Sequence, residues 1–251
     1  MPNPIAHLDI ALESVAQSCP PVIEANMGSF LLGSCAPDIR VITRGDRDET
    51  HFAPMSNQVL GTGIQNMFKA YPQLGHAASL SGPTQAFLAG YISHLMADES
   101  WIIQVYRPYF ANRDVFQDRV AANVLDRALQ LDMDRRAVEK QGLMKQAQHY
   151  LAQAGADVQV AFLPTEALAD WHGWLTGVVQ REFSWERLKV MALRRQDPQD
   201  HARAQEVAEQ FLKALPVSLD GVYDLVPRDV LASYRNDVMR VWTEFMRGYL
   251  P

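Results

Sequence analysis

Cysteine is nearly absent from this chain of 251 residues. Only Cys19 and Cys35 occur, which are too few for a disulfide framework and lack the CxxC spacing of a thiolate zinc site or a redox pair. Any metal that this protein holds must therefore bind nitrogen and oxygen ligands.

Long apolar runs are also missing. No segment approaches 18 uncharged apolar residues, and the first ten residues contain no basic stretch followed by an apolar one. We therefore expect no transmembrane segment, no signal peptide and a cytoplasmic location.

Positive charge is in short supply as well, because 23 Lys and Arg residues stand against 29 Asp and Glu residues, a net charge of −6. This sign argues against a long nucleic acid as partner, which requires many basic contacts to phosphate. It does not exclude chemistry on a phosphate ester, since bound metal ions can supply positive charge locally.

Strand signals are scarce, whereas apolar residues recur at spacings of three and four along most of the chain. The pattern predicts an all-α fold in a single domain, residues 1–251. The clearest helix follows Ser81-Gly82-Pro83 and runs to about Tyr106, before Pro108. Two adjacent stripes of this helix are apolar or aromatic, so we expect it to be central. The stripes are Phe87, Tyr91, His94, Asp98, Trp101 and Val105, and beside them Leu88, Ile92, Leu95 and Ile102.

Further helices are predicted at residues 5–17, 22–32, 56–71, 114–153, 165–180, 183–195, 199–214 and 227–249. Residues 33–55 are predicted to form a long irregular connection, which in a compact domain usually serves a function. Within the single domain, we expect residues 1–110 to bind metal and residues 155–251 to form an appended helical half.

His94 and Asp98 lie four residues apart, so their side chains project from one helix face within reach of a shared ion. A buried ion pair without metal explains the same spacing. Three more residues can serve as ligands: His7 near the start of the first helix, Asp38 after Ala-Pro, and His51 in the irregular segment. Each of these has an ordinary explanation as a solvated, capping or turn residue.

Together, these residues stand in four motifs in a fixed order: Met-Pro-x-Pro-x-x-His7, Gly33-x-x-Ala-Pro-Asp38, Thr50-His51-Phe, and Phe87-Leu-x-Gly-Tyr-x-x-His94-x-x-x-Asp98. This order resembles the zinc-dependent phospholipase C family, whose fold is similar to that of the S1/P1-type nucleases. The resemblance covers residues 1–110. It implies an all-helical domain around a metal cleft and hydrolysis of phosphate esters by metal-activated water.

The resemblance further implies one zinc ion held by Asp38, His51, His94 and Asp98, with Asp98 bridging to a second ion that His7 also binds. Asp38 would double as the general base. The chain lacks the N-terminal Trp of secreted relatives, and it has Gln104 where the family's third metal needs a His. We therefore expect one or two zinc ions.

Other polar residues are secondary candidates. Arg40 and Arg107 are placed where they can meet a substrate phosphate. Asp126 and Asp132 are interpreted as a salt-bridged helix face rather than as ligands. Trp171 and Trp174 are interpreted as core packing rather than as a stacking platform.

These observations predict a metal-dependent hydrolase of a small phosphate ester, preferably a phosphodiester, that acts neither on bilayer lipid nor on long nucleic acid. The alternative is a non-catalytic helical metalloprotein or interaction module that keeps its ligands for stability.

Overall fold

The computed structural model describes residues 1–17, 19–155, 157–194 and 197–251, and these residues form helices and no strands. The predicted all-α class is confirmed. The α-helices are α1 (Pro4–Gln17), α2 (Pro21–Glu24), α3 (Met27–Gly33), α4 (Arg40–Thr43), α5 (Asp48–His51), α6 (Thr62–Ala70), α7 (Gly82–Trp101), α8 (Arg119–Glu139), α9 (Leu143–Leu151), α10 (Thr165–Val179), α11 (Arg187–Ala192), α12 (His201–Lys213), α13 (Val217–Leu225) and α14 (Arg228–Tyr249).

Helix α7 forms the centre of the fold, as its sequence predicts. It begins at the N-cap Ser81, whose hydroxyl accepts a hydrogen bond from the Thr84 amide, and every residue from Thr84 to Trp101 is buried. Both predicted stripes are buried throughout. The helix then continues as a π-helical segment, Ile102–Phe110, which contains Pro108. The predicted stop at Pro108 thus lies inside this segment, which ends two residues later, and the proline leaves it one amide donor short.

Two glycines let α3 lie directly against α7. A Cβ atom added at Gly33 would come within 2.0 Å of the Phe87 carbonyl oxygen, and one added at Gly90 would come within 2.0 Å of the Phe30 carbonyl oxygen. Only residues without a side chain permit this backbone contact. The contact fixes the position of the residues that follow α3, which include Ser34 and Asp38.

The C-terminal helix α14 also packs against α7. The Trp242 indole donates to the Ala89 carbonyl at 2.9 Å, and the Tyr234 hydroxyl donates to the Ala97 carbonyl at 3.2 Å. Helix α8 contacts α1, α11 and α12. Residues on both sides of position 155 thus share buried contacts. That they form one folding unit remains a prediction.

Several predicted helix boundaries are wrong. The segment 22–32 forms two helices, α2 and α3, and the segment 114–153 is divided between α8 and α9 by Gly142, which has φ +82°. Helix α6 begins only at Thr62, α13 is not predicted, and α11 covers only part of 183–195, whose last residue lies outside the described ranges.

The segment 33–55 is not wholly irregular, because it contains the 3₁₀ turn Ala36–Ile39 and the short helices α4 and α5. Left-handed residues follow both helices, with φ 63° at Arg44 and φ 56° at Phe52. Non-glycine residues adopt this conformation at a cost, so surrounding contacts must hold them. Phe52 makes edge contacts with the rings of Tyr71 and Phe162.

Candidate metal centre

The five predicted ligand residues converge at one place in the structure. His7, His94 and Asp98 form one group of ligand atoms that lie within 4.8 Å of one another, and Asp38, His51 and His94 form a second such group. The helices α1, α5 and α7 and the 3₁₀ turn that contains Asp38 therefore bring these five side chains together. Asp98 lies between the imidazoles: its Oδ1 is 3.4 Å from His7 Nε2, and its Oδ2 is 3.1 Å from His51 Nε2 and 3.7 Å from His94 Nε2.

Helix α7 supplies His94 and Asp98 from one face, as their spacing predicts. The Nδ1 atom of His94 lies 2.9 Å from the Ser34 carbonyl oxygen, which the glycine contact between α3 and α7 holds in place. A carbonyl at this position selects the tautomer with hydrogen on Nδ1, which leaves Nε2 as the free electron-pair donor.

Helix α5 orients His51 in the same way. The Nδ1 atom of His51 lies 3.2 Å from both the Arg47 carbonyl and the Thr50 hydroxyl. The Thr50 hydroxyl donates to the Pro37 carbonyl at 2.7 Å, and the Tyr91 hydroxyl of α7 donates to the Thr50 carbonyl. These bonds tie α5 both to the Asp38 turn and to the central helix, so His51 Nε2 faces Asp98.

His7 reaches the cluster from the first turns of α1. Its ring stacks on the His94 ring, with centroids 3.7 Å apart and an angle of 12° between the planes. Two protonated imidazoles would repel each other at this distance in a buried site. The stack therefore requires at least one of the two rings to be neutral.

Four polar atoms of the cluster lack hydrogen-bond partners within the described part of the chain. His7 Nε2, His51 Nε2, His94 Nε2 and Asp98 Oδ1 are all buried without one. Buried polar atoms without partners are rare in folded proteins and call for an explanation such as an ion. In a tetrahedral site with bonds of ~2.0–2.1 Å, neighbouring ligand atoms lie roughly 3.3 Å apart. The observed separations around Asp98 fit this arrangement, so the residues present fit a zinc ion.

Burial and the neighbouring His94 together lower the pKa of His7 to about 4, against the opposite effect of Asp98. Burial also lowers the pKa of His51, and the Arg47 guanidinium adds to this effect. Both imidazoles are thus neutral at neutral pH, which is the state that binds metal. Burial acts in the same direction on His94, but the Asp98 and Asp38 carboxylates outweigh it and raise the pKa of His94.

Both carboxylates of the cluster are ionised at neutral pH. Burial acts to raise the pKa of Asp98, but His94, His51 and His7 hold it well below its usual range. The pKa of Asp38 is also lowered against the effect of burial, most of all by the positive charge of His94. Carboxylates that stay charged in a buried place need nearby positive charge, and a bound cation would supply more of it.

Arg47 belongs to this centre although the sequence analysis did not single it out. Its guanidinium is buried, with Nη2 3.3 Å from Asp98 Oδ2 and Nη1 donating to the Ala53 carbonyl at 2.8 Å. The sequence contains one sign of its role: Arg47 stands four residues before His51, the same spacing as that between His94 and Asp98. With His51 and Asp98, Arg47 also lines a cavity of about 10 Å³, which has room for about one water molecule.

The two ligand groups share His94, whereas the resemblance makes Asp98 the bridging residue. His94 has a single free nitrogen, since Nδ1 lies against the Ser34 carbonyl. Asp98 has two oxygens, one near His7 and one near His51. Only a carboxylate can give one atom to each of two ions, so the carboxylate chemistry favours Asp98 as the bridge if two ions bind.

Asp38 alone connects this cluster to a large cleft. Its side chain is 17% exposed, against 2% or less for those of the other four residues. Its Oδ1 lies 3.9 Å from His51 Nε2. The cleft has a volume of about 860 Å³ and is bordered by the first five residues, the segment around Asp38, and side chains from α8, α10 and α11.

The secondary candidates lie in different places. Arg40 lines the cleft beside Asp38, whereas Arg107 donates to the Met55 carbonyl and is not among the residues that line the cleft. Asp126 accepts hydrogen bonds from the indole of Trp101 and the amide of Gln130.

Asp132 accepts from Arg135, Arg136 and Tyr223. The prediction that Asp126 and Asp132 lie on a solvated helix face is wrong, since both side chains are buried. Their burial is possible because the hydrogen bonds named above satisfy both carboxylates. Trp171 is fully buried and its ring stacks on that of Trp174 at 4.6 Å, which agrees with core packing. Trp174 also borders the cleft.

Comparison with known proteins gives one family. Residues 4–101 match the family model described as zinc dependent phospholipase C, so the predicted resemblance is confirmed over this part of the chain. The match contains all five predicted ligand residues. No curated protein and no solved structure gave a match. Among the described residues, no helix has both the length and the apolar character needed to cross a membrane.

Proposed function

We propose, from the family match over residues 4–101, that this protein is a zinc-dependent phosphoesterase that hydrolyses a small phosphodiester. The observation that carries this proposal is the convergence of His7, Asp38, His51, His94 and Asp98 with unpartnered donor atoms. These residues would hold one zinc ion, or two with Asp98 as the bridge. Zinc bound there would supply Lewis acidity to a phosphoryl oxygen and would make a nearby water molecule more acidic.

Asp38 is our candidate for the general base. It is the cluster residue that faces the cleft, and its lowered pKa keeps it ionised at neutral pH. A carboxylate in this position can take the proton of an attacking water molecule within hydrogen-bond reach. His7, His51, His94 and Asp98 are more deeply buried, so their proposed role is to hold the metal.

Arg47 is our candidate for keeping Asp98 charged and correctly turned. Its Nη2 and the His51 imidazole both lie near Asp98 Oδ2. The Arg47 contact to the Ala53 carbonyl holds the guanidinium beside Asp98 Oδ2. Asp98 Oδ1, which lacks a partner, is left for metal.

One observation favours the second candidate function, a structural metal site without catalysis. Four of the five proposed ligands are almost completely buried, as in structural zinc sites, which have no open coordination position. The exposure of Asp38 to the cleft supports the catalytic function instead. Turnover separates the two functions, because both predict bound metal.

The first test measures metal in protein purified without chelator. We expect one or two zinc ions per chain by elemental analysis, and at most a residual amount in H94A, because loss of a ligand removes most of the affinity. H76A is the matched control, since His76 is exposed. Wild-type protein without metal, or H94A with a full complement, would refute the proposed centre.

The second test measures hydrolysis of a panel of small phosphodiesters and phosphomonoesters with added Zn²⁺. For D38N we expect kcat to fall by about 10²–10⁴, the usual contribution of a general base. D220N makes the same change at an exposed residue and should retain wild-type turnover. Zinc binding without any turnover would favour the structural function. Preferred cleavage of phosphatidylcholine vesicles or long single-stranded DNA would contradict the proposed small substrate.

A further inference from the structure

The walls of the large cleft are rich in arginine although the chain as a whole is acidic. Six arginines border the cleft, against two acidic residues, Asp38 and Glu182. They come from four separate parts of the chain: Arg40 and Arg44 beside the 3₁₀ turn, Arg127 on α8, Arg181 after α10, and Arg187 and Arg194 on and after α11. A chain with a net charge of −6 thus concentrates positive charge on one concave surface.

Most of these guanidinium groups have no carboxylate partner. Arg187 lies 3.5 Å from Asp134, and Arg127 donates to the neutral Gln130 amide. In the described ranges, the other four arginines form no ion pair, and Arg40 has a buried Nε without a hydrogen-bond partner. A surface that served only for solubility would place such groups apart or beside carboxylates.

The arginines are also close enough to repel one another. Burial lowers the pKa of Arg194, and the positive charges of Arg127, Arg187 and Arg44 lower it further. The Asp38 carboxylate has the opposite effect on the pKa of Arg194, and both residues line the same cleft. Bringing like charges together costs free energy unless an anion joins them.

Building on the proposed function, we infer that the substrate of this cleft carries a second phosphate group in addition to the ester that is cleaved. The proposed metal centre beside Asp38 would take the scissile phosphate. The arginines outside the Asp38 segment, Arg127 on α8 and Arg194 after α11, would then take the other phosphate, which they can bind through paired charge-assisted hydrogen bonds.

The volume of the cleft favours a small molecule over a polymer. A volume of about 860 Å³ lies within the usual range for sites that enclose compounds of drug size. A long polyanion would extend beyond the cleft, where the acidic remainder of the chain would repel it. The expected ligand is therefore a compact compound with two separated phosphates.

The first experiment measures binding without catalysis. Zinc-loaded protein is titrated by calorimetry with adenosine 3′,5′-bisphosphate and with adenosine 5′-monophosphate. We expect the bisphosphate to bind about tenfold more tightly, the effect of one added charge-assisted contact. The double variant R127Q/R194Q should lose this preference. R247Q removes the same charge from an exposed position on α14 and should retain it.

The second experiment measures hydrolysis of thymidine 5′-(4-nitrophenyl phosphate) with and without a 3′-phosphate, so that the scissile bond and leaving group stay constant. We expect KM to be about tenfold lower for the 3′-phosphorylated substrate, and R127Q/R194Q to abolish this ratio. If neither compound is cleaved but the bisphosphate still binds preferentially, the phosphoesterase proposal fails and the two-phosphate preference of the cleft stands.

Equal binding of the two adenosine compounds would overturn the inference, whether or not any diester is hydrolysed. A preference that survives in R127Q/R194Q would overturn it as well, because the second phosphate would then lie elsewhere. Single-stranded DNA or phosphatidylglycerol vesicles that bind more tightly than the bisphosphate, and in an arginine-dependent way, would also overturn the inference. The natural ligand would then be a polymer or a lipid surface rather than a small bisphosphate.

Discussion

Substitution of Gly90 by alanine should disturb the metal centre from a distance, through the contact between α3 and α7. The added Cβ would lie 2.0 Å from the Phe30 carbonyl oxygen and 2.7 Å from the Ser34 amide nitrogen. Non-bonded contacts are normally longer by roughly 1 Å or more. Both neighbouring atoms are backbone, so α3 must move away as a whole.

The free-energy cost can be estimated from known effects. Overpacking in a core costs about 1–3 kcal/mol, and alanine in a helix recovers about 1 kcal/mol relative to glycine. A shift of about 1 Å would also break the 2.9 Å contact between the Ser34 carbonyl and His94 Nδ1, a loss of about 1 kcal/mol. The net expectation for G90A is a decrease of about 1–3 kcal/mol in the free energy of unfolding, because the gain from alanine and the lost contact roughly cancel.

The same movement should weaken metal binding. A ligand histidine that loses its orienting partner typically loses about 10–100-fold in metal affinity, so zinc affinity of G90A should fall by that factor. Urea denaturation and competition with a chromophoric chelator measure the two effects. G173A is the control, because Gly173 lies exposed in α10 with no atom near its added Cβ, and it should be stabilised by up to about 1 kcal/mol. A free energy for G90A within about 0.5 kcal/mol of wild type, with unchanged zinc affinity, would refute the reasoning.

Three further predictions concern pH, metal and cooperativity. Burial raises the pKa of Asp134 to about 7, above its unfolded value. The free energy of unfolding of the wild type should therefore fall as pH rises from about 4 to 7, and urea denaturation of D134N should show no such fall. An equal fall in D134N would contradict this prediction. Chelation with EDTA should lower the midpoint of thermal unfolding, because the unpartnered nitrogens of His7, His51 and His94 would lose the ion that they bind. An unchanged unfolding midpoint after chelation of a zinc-loaded sample would count against the proposed centre. The contacts of α14 with α7 predict one unfolding transition by circular dichroism and by tryptophan fluorescence, and two separate transitions would show independent halves.

The sequence predicted best what depends on local periodicity. The burial of α7 follows from its two apolar stripes, and the joint projection of His94 and Asp98 follows from a spacing of four on that helix. Arg47 was missed because a charged residue in a polar segment normally faces solvent. Its burial depends on Asp98, which is remote in sequence and near only after folding.

The arginine-rich cleft could not be predicted, for a related reason. Arg40 and Arg44 belong to one segment, but Arg127, Arg181 and Arg194 come from separate parts of the chain that meet only in the tertiary structure. Net charge averages over the whole surface and carries no information on where charges of one sign gather. The expectation drawn from the −6 charge therefore applies to the chain as a whole and not to its concave side.

The unequal exposure of the proposed ligands has a consequence for the rate at which metal is exchanged. His7, His51, His94 and Asp98 are enclosed by packed side chains, and of the five residues Asp38 alone is partly exposed to the cleft. An ion that enters or leaves on this side must pass Asp38 and then the space that the substrate would occupy. A molecule bound in the cleft would thus obstruct the exit of the metal, so the dissociation of zinc should become slower when the protein is occupied by its own ligand.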